Sequence, residues 1–342
     1  MITKLLQGFK KLAFFVFIAS ALAAGFIACT NEDDPPTPTT YVALSQFFSI
    51  PNATLVQGAI PSTANGASIG DVIINSTAIP GGSSNVTINS LNDIQKLYVS
   101  IKGSNQYYTL APSATKSTVF DFVILLSQAL NRSFEIQISA LLADGSTSAL
   151  YSSSVTYYPT GTGGTGGLQV SLSFNNEKDV DLYVIQPDGD IIFYGNKGAT
   201  IYDSITGQYV YWWGLDLDSN PACNIDSINN ENVFYPDTLV QTGTYQVWIN
   251  MYSNCDNTIP TTCVVTANHA SQLITNLTYG VNPSTHIFPI GEPSNSIGSD
   301  TTGAVKIMEF NMVGTPAGPK KIYNSKLTES AKMKLNSAIR RR

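Results

Sequence analysis

The sequence predicts an all-β protein of two β-sandwich domains, ending in a short helix or tail. Three observations carry that reading. Apolar and polar residues alternate over short runs, the period of a half-buried strand, throughout residues 41–158 and again throughout 168–314. Clusters of Pro, Gly, Asn and Ser punctuate those runs. Between the two blocks lies "PTGTGGTGG", residues 159–167, which brings no apolar residue to either core.

Taken in order, the chain begins with Lys4, Lys10 and Lys11, then an apolar run from Leu12 to Cys29. A basic start, an apolar middle and small residues before a break make a secretory signal over residues 1–28. The run is short for a membrane span, which needs ~20 apolar residues. Its end, "GFIACT", resembles the lipobox of bacterial lipoproteins, with Phe26 where Leu, Val or Ile is usual. That resemblance implies lipid on Cys29, which would become the first mature residue and tie the protein to a membrane. Residues 29–40 form an acidic, Pro-rich tether, and Glu32, Asp33 and Asp34 resemble the export signal of Bacteroidota surface lipoproteins. The address so implied is the outer membrane, facing the exterior, with a periplasm-facing anchor as the alternative.

Residues 41–158 hold eight candidate strands: "YVALSQFFSI", "GDVIINSTAI", "SNVTINS", "KLYVSIKG", "QYYTLAP", "VFDFVILL", "SFEIQISALL" and "SALYSSSVTYY". That density of short strands implies an immunoglobulin-like sandwich. The segment 159–167 reads as a flexible hinge. It also fits G-x-G-x-x-G at Gly161, Gly163 and Gly166, but that fingerprint needs a helix behind it and "LQVSLSF" is a strand. In the second block the candidates are "LQVSLSF", "DVDLYVIQ", "DIIFYG", "YVYWWGLDLD", "GTYQVWINMY", "CVVTAN", "QLITNLTYG" and "AVKIMEFNMV", another sandwich. Residues 315–342 carry eight basic residues against Glu329, with Tyr323, Leu327, Ala331, Leu335 and Ala338 at helical spacing. This segment reads as a frayed tail, with docking on the acidic body or on a membrane surface as alternatives.

From Cys29 to Pro319 there are 23 acidic residues against seven basic ones, a net charge of −16. A field of that sign repels phosphate and argues against nucleic acid as a partner. With Cys29 lipidated, Cys223, Cys255 and Cys263 remain. Cys223 and Cys255 lie in loop-like stretches and are expected to form a disulfide, leaving Cys263 buried on a strand. "GASIG", residues 66–70, fits G-x-S-x-G around Ser68, but no strand precedes it and no helix follows. No catalytic motif stands in a valid context, so an enzyme is the least favoured class. A pair of carboxylates for glycoside hydrolysis would leave no sequence signature.

Two acidic pairs are the stronger lead. Asp179 and Asp181 share one face of "DVDLYV", while Val180, Leu182 and Val184 share the other. In "GLDLDSN" Asp216 and Asp218 are expected to face outward opposite Leu215 and Leu217. Brought side by side, the pairs would supply oxygens for Ca²⁺, which takes six to eight, with Glu231 and Asn232 from "INNENV" adding more. The alternative is that each Asp accepts backbone N–H bonds in a turn. Aromatics supply the second lead. Tyr211, Trp212 and Trp213, with Trp248 on a later strand, are candidate platforms for sugar rings, although sandwich cores use such residues too. Trp212 and Trp213 are adjacent on a strand, so one faces in and the other out.

"DVDLYVIQPDGD", "LDLDSNPACNIDSINNENVFYP" and "GTYQVWINMYSNC" together resemble the YfaP-like family of exported bacterial proteins. The matching positions are Asp179, Asp181 and Leu182; Pro187 and Gly189; Asp216 and Asp218; Glu231 and Asn232; Gly243, Tyr245 and Val247. Over residues 168–314 the resemblance implies a β-sandwich outside the cytoplasm and brings no established catalytic activity. The sequence therefore points to a non-catalytic surface lipoprotein that binds glycan or protein ligands, with Ca²⁺ as the candidate stabilising ion. A structural, envelope-assembly lipoprotein is the alternative class.

Overall fold

A computed structural model describes residues 41–111, 117–164, 167–203, 208–296 and 304–313. Cys29, the acidic tether and the basic C-terminal segment lie outside the described residues. The chain is all-β, as predicted, and builds two β-sandwich cores. Among the described residues no helix is long and apolar enough to cross a membrane.

The first half contains β1 (Phe48–Ser49), β2 (Thr54–Gln57), β3 (Asp71–Ile74), β4 (Thr77–Ala78), β5 (Ser83–Ile101), β6 (Gln106–Leu110), β7 (Ser117–Leu126), β8 (Phe134–Leu142) and β9 (Tyr151–Tyr157). Strand β5 organises it. The sequence suggests two strands here, "SNVTINS" and "KLYVSIKG", and the structure joins them into one. Its first part pairs with β3 and β7. Its second part pairs with β6 and β8. Register breaks between Asn89 and Ile94, where Leu91 points into solvent. A bulge at that point bends the strand, so that one element serves both layers. Val86, Ile88, Ile94, Leu97 and Val99 alternate inward along it into a common core.

The second half contains β10 (Leu168–Phe174), β11 (Asp179–Ile185), β12 (Ile191–Ile192), β13 (Gly198–Asp203), β14 (Gln208–Leu217), β15 (Asn230–Tyr235), β16 (Gly243–Ser253), β17 (Thr261–His269), β18 (Gln272–Leu273), β19 (Leu277–Tyr279), β20 (Ser284–Phe288) and β21 (Val305–Met312). A five-stranded sheet, β12-β11-β16-β21-β19, faces a seven-stranded sheet running β13-β14-β15-β10-β17-β18, with β20 also on β17. Leu172, Val180, Leu182, Val233, Val247 and Ile249 meet between them. Strand β11, like β10, is buried on both faces: all seven of its residues are covered. Its second face packs Tyr183 and Ile185 against Ile191, Phe193 and Trp248.

Residues 159–164 differ from the hinge the sequence suggests, because they are pinned. Asp216 Oδ2 accepts the Gly161 N–H at 2.5 Å, and Asn232 Nδ2 donates to the Gly161 carbonyl at 2.9 Å. Gln169 Oε1 accepts from Gly163 N, and Ser271 Oγ donates to the Gly164 carbonyl. Glycine is needed at 161 for close approach: a Cβ there would stand 2.2 Å from the Phe234 ring. The same amides tie the two sandwiches together. Gln169 Nε2 donates to the Pro80 carbonyl at 2.8 Å, and its Oε1 accepts from Gln128. Asn268 Nδ2 donates to the Gly81 carbonyl at 2.7 Å, and Asn75 Nδ2 to the Asn229 carbonyl at 2.9 Å. Limited proteolysis is expected to spare residues 159–164 in the native chain and to cut there in a Gln169→Ala, Asp216→Ala double variant.

Candidate functional site

The carboxylates gather at the start of β11, in the interior of the second sandwich. Asp179, Asp181 and Glu231 are each 1–2 % exposed. The sequence puts Asp179 and Asp181 on the face of β11 opposite Val180, Leu182 and Val184, and in the fold that face is covered instead of open to solvent. The two Asp side chains do leave the apolar face of β11, but Tyr183, Phe193 and a covering loop close over the other face. Glu231 lies not in a loop but on β15, opposite Leu172, so it points into the sandwich core and reaches across to the second sheet. There its Oε2 accepts the Leu182 N–H at 2.6 Å.

Asp216 and Asp218 part company. One extra residue on β14, between Leu215 and Leu217, forms a bulge against β15. Asp216 occupies it and turns to the linker, where Asn232 joins it at 2.8 Å. Asn232 points away from the acidic centre and belongs to the seam between the sandwiches. Asp218 turns to the centre and pairs with Lys197 at 2.6 Å. The group brought together is thus Asp179, Asp181, Asp218 and Glu231, with the Lys197 ammonium at its margin.

A 12-residue loop, 218–229, covers this centre. Its backbone is strained: Asn220, Ala222, Cys223, Ser227 and Asn229 all lie in the left-handed region. Side chains hold it there. Asn220 Oδ1 accepts from Asp226 N, and Asn220 Nδ2 donates to the Lys178 carbonyl. The predicted disulfide is present, joining Cys223 to Cys255 and so tying the loop to the end of β16. This placement brings the Ala222 N–H to Asp179 Oδ2 at 2.6 Å. Buried Lys178, beside Asp179, donates to the Ile259 carbonyl at 3.2 Å and to Asn254 Oδ1. Tyr183 donates its hydroxyl to Asp181 Oδ2 at 2.9 Å.

Burial raises the Asp179 pKa to about 7; the Ala222 N–H opposes that rise and the Asp218 charge adds to it. Asp181 and Glu231 are held well above the usual carboxylate range by burial, and then by the like charges around them. For Lys197 burial acts downward and is the largest single effect, but the hydrogen bond to Asp218 and the negative charge of Asp218 and its neighbours together raise the group. Two carboxylate oxygens in the centre, Asp179 Oδ1 and Glu231 Oε1, are buried without a hydrogen-bond partner. Among the described residues, no three carboxylate, His or Cys side chains stand close enough to enclose a metal ion by themselves.

The aromatic candidates also divide. Trp213 is buried and stacks on Tyr235, with 5.7 Å between ring centroids. Trp248 is buried as well, under Tyr183 and Phe193, with Nε1 donating to Gln246 Oε1. Neither can offer a ring to a ligand: Trp213 belongs to the main core between the sheets, and Trp248 to a small core on the second face of the β11–β16 pair. Trp212 is half-buried against the main core. Tyr211 is 37 % exposed, and Tyr209, two residues earlier on the same strand, is 74 % exposed. Both lie on the β13–β14 hairpin at the sheet edge. Elsewhere, Ser68 Oγ accepts the Gly70 N–H within a loop, so the G-x-S-x-G match forms no strand-to-helix elbow.

No protein-family model matches this chain, and no curated protein matches it. Among solved structures it is similar to the fibronectin(III)-like modules of Clostridium thermocellum CbhA, at 9 % identity. That match covers 69 % of this chain and 94 % of the other, with a TM-score of 0.17, and the sandwich assignment rests on the strand pairing described above.

Two outcomes follow for stability. A fold that raises a carboxyl's pKa keeps a proton that the unfolded chain releases. The stabilisation from Asp179 is therefore complete below about 4 and lost as pH rises through about 7. Melting temperature should fall by several degrees between pH 5 and pH 8, and Asp179→Asn should flatten that fall. Reducing the Cys223–Cys255 bridge, which closes a span of 32 residues, should cost ~2–4 kcal/mol in chemical denaturation.

Proposed function

We propose that this chain is a non-catalytic binding module, held outside the cytoplasm by lipid on Cys29, whose ligand surface is the β13–β14 hairpin. The observation that carries the reading is the pair Tyr209 and Tyr211. They are two apart on one strand and so share a face, and both rings meet solvent at the edge of the sheet. Exposed flat rings suit the C–H faces of sugars, and glycans are the ligand class favoured here over protein surfaces. The lipobox-like "GFIACT" and the disulfide support an oxidising, extracytoplasmic setting. The surplus of acid over base supports neutral or cationic ligands and disfavours nucleic acid.

A second reading has its own support. The pinned linker and the amide contacts between sandwiches make a stiff body, which suits a spacer in an envelope assembly. Binding of the chain to a glycan array separates the two. The module reading expects retained glycans whose signal falls about tenfold or more, as loss of a stacking anchor worth ≥ 1.4 kcal/mol would give, in Tyr209→Ala and Tyr211→Ala. An array without retained glycans favours the spacer.

A further inference from the structure

We propose that the buried carboxylates of β11 and β15 form a Ca²⁺ site, with Asp179 and Glu231 as its anchoring ligands. The inference is independent of the hairpin and of any glycan. Four carboxylates, from Asp179, Asp181, Asp218 and Glu231, share one interior region, where the Lys197 ammonium is paired with Asp218. The hydrogen bonds there are unevenly spent. One oxygen of Asp179 is taken by Ala222 N, and one of Glu231 by Leu182 N. Their second oxygens, Asp179 Oδ1 and Glu231 Oε1, are buried and have no donor. A buried carboxylate oxygen with no donor is costly, and a cation removes that cost for both oxygens at once.

The donor chemistry selects the ion. The side chains around the centre offer oxygen; the two nearby sulfurs are locked in the Cys223–Cys255 bridge. Thiolate- and imidazole-seeking metals are thereby disfavoured. Ca²⁺ accepts six to eight oxygens in flexible geometry and takes carbonyls and water as well as carboxylates. Two anchoring carboxylates would be supplemented in that way, since among the described residues no three carboxylate, His or Cys side chains enclose an ion. Mg²⁺ demands a tight octahedron and is the weaker fit. The covering loop fits a site of this kind. Its left-handed residues and its disulfide fix the Ala222 N–H on one Asp179 oxygen, which leaves the other committed to the interior.

Tb³⁺, a Ca²⁺ surrogate that emits when a nearby tyrosine is excited, tests this directly, since the Tyr183 hydroxyl touches Asp181. The full chain should show tyrosine-sensitised Tb³⁺ emission that Ca²⁺ displaces. Its melting temperature at pH 8 should be higher in Ca²⁺ than in chelator. Glu231→Gln and Asp179→Asn should each weaken the ion by about tenfold or more. Asp216→Asn, on the linker side of β14, should leave affinity unchanged. Should Glu231→Gln fail to fold, Asp179→Asn and the paired melts of the native chain still decide. Identical melts with no sensitised emission would mean that protons alone settle the cluster, and would overturn the proposal. Emission that survives both substitutions would place the ion elsewhere on the acidic surface, and would overturn it equally.

Discussion

Strand β11 must bury two aspartates because both of its faces are covered, and much of the second sandwich follows from that constraint. Moving an isolated carboxylate out of water costs several kcal/mol even after relaxation. The fold answers with donors from four directions. Ala222 comes from the loop above, Tyr183 from the strand itself, Leu182 serves Glu231 from the open edge of β11, and Lys197 neutralises Asp218. The covering loop exists in its strained form because one of those donors is a main-chain N–H. Holding five left-handed, non-glycine residues costs on the order of 1–3 kcal/mol each. Such a backbone persists only when its surroundings over-determine it, and here Asn220 and the disulfide do so.

The contact between the two sandwiches works by a different principle. Apolar cores close within each half, while the seam is built of amides: Asn75, Gln128, Gln169, Asn232 and Asn268. An amide side chain both donates and accepts, so Gln169 can serve Pro80, Gln128, Gly163 and Asn232 from one position. Each such bond contributes ~1 kcal/mol net, but leaving a member without its partner costs more. The seam therefore resists partial opening, and the glycine segment at its margin is drawn into the same network.

How much of this could be read from the sequence depends on which physical signal each feature leaves. Alternation marked β10, β11 and β16 correctly because their core faces carry Val, Leu and Ile at period two. It left β15 unmarked, since "NENVFY" opens with residues of poor strand propensity, and so the strand bearing Glu231 reads as loop. Alternation also tells which residues share a face, but not what lies over that face. The pattern puts Asp179 and Asp181 on the correct side of β11 and carries no sign of the covering layer. For Trp248 the same missing layer decides between ligand platform and core, and the structure gives core. The bulge at Asp216 is a single inserted residue whose presence depends on the partner strand, and it separated a pair that looks regular in sequence. Glycine at 161 serves close approach to Phe234, which composition cannot distinguish from freedom of rotation.

Cys263, the free cysteine among the described residues, shows how placement within the fold protects the covalent arrangement on which the covering loop relies. Thiol–disulfide exchange requires a thiolate that can reach the bridge. Cys263 sits on β17 at the centre of the sandwich, fully buried among Phe174, Val265 and Phe288. Burial alone raises its thiol far above the ordinary range, so the nucleophilic form is suppressed. The Cys223–Cys255 bridge lies instead in exposed loop, where oxidant can reach it. The pairing is thus fixed by accessibility and ionisation together. Oxidation joins the two loop cysteines and leaves Cys263 inert, and the loop over Asp179 closes in one covalent form.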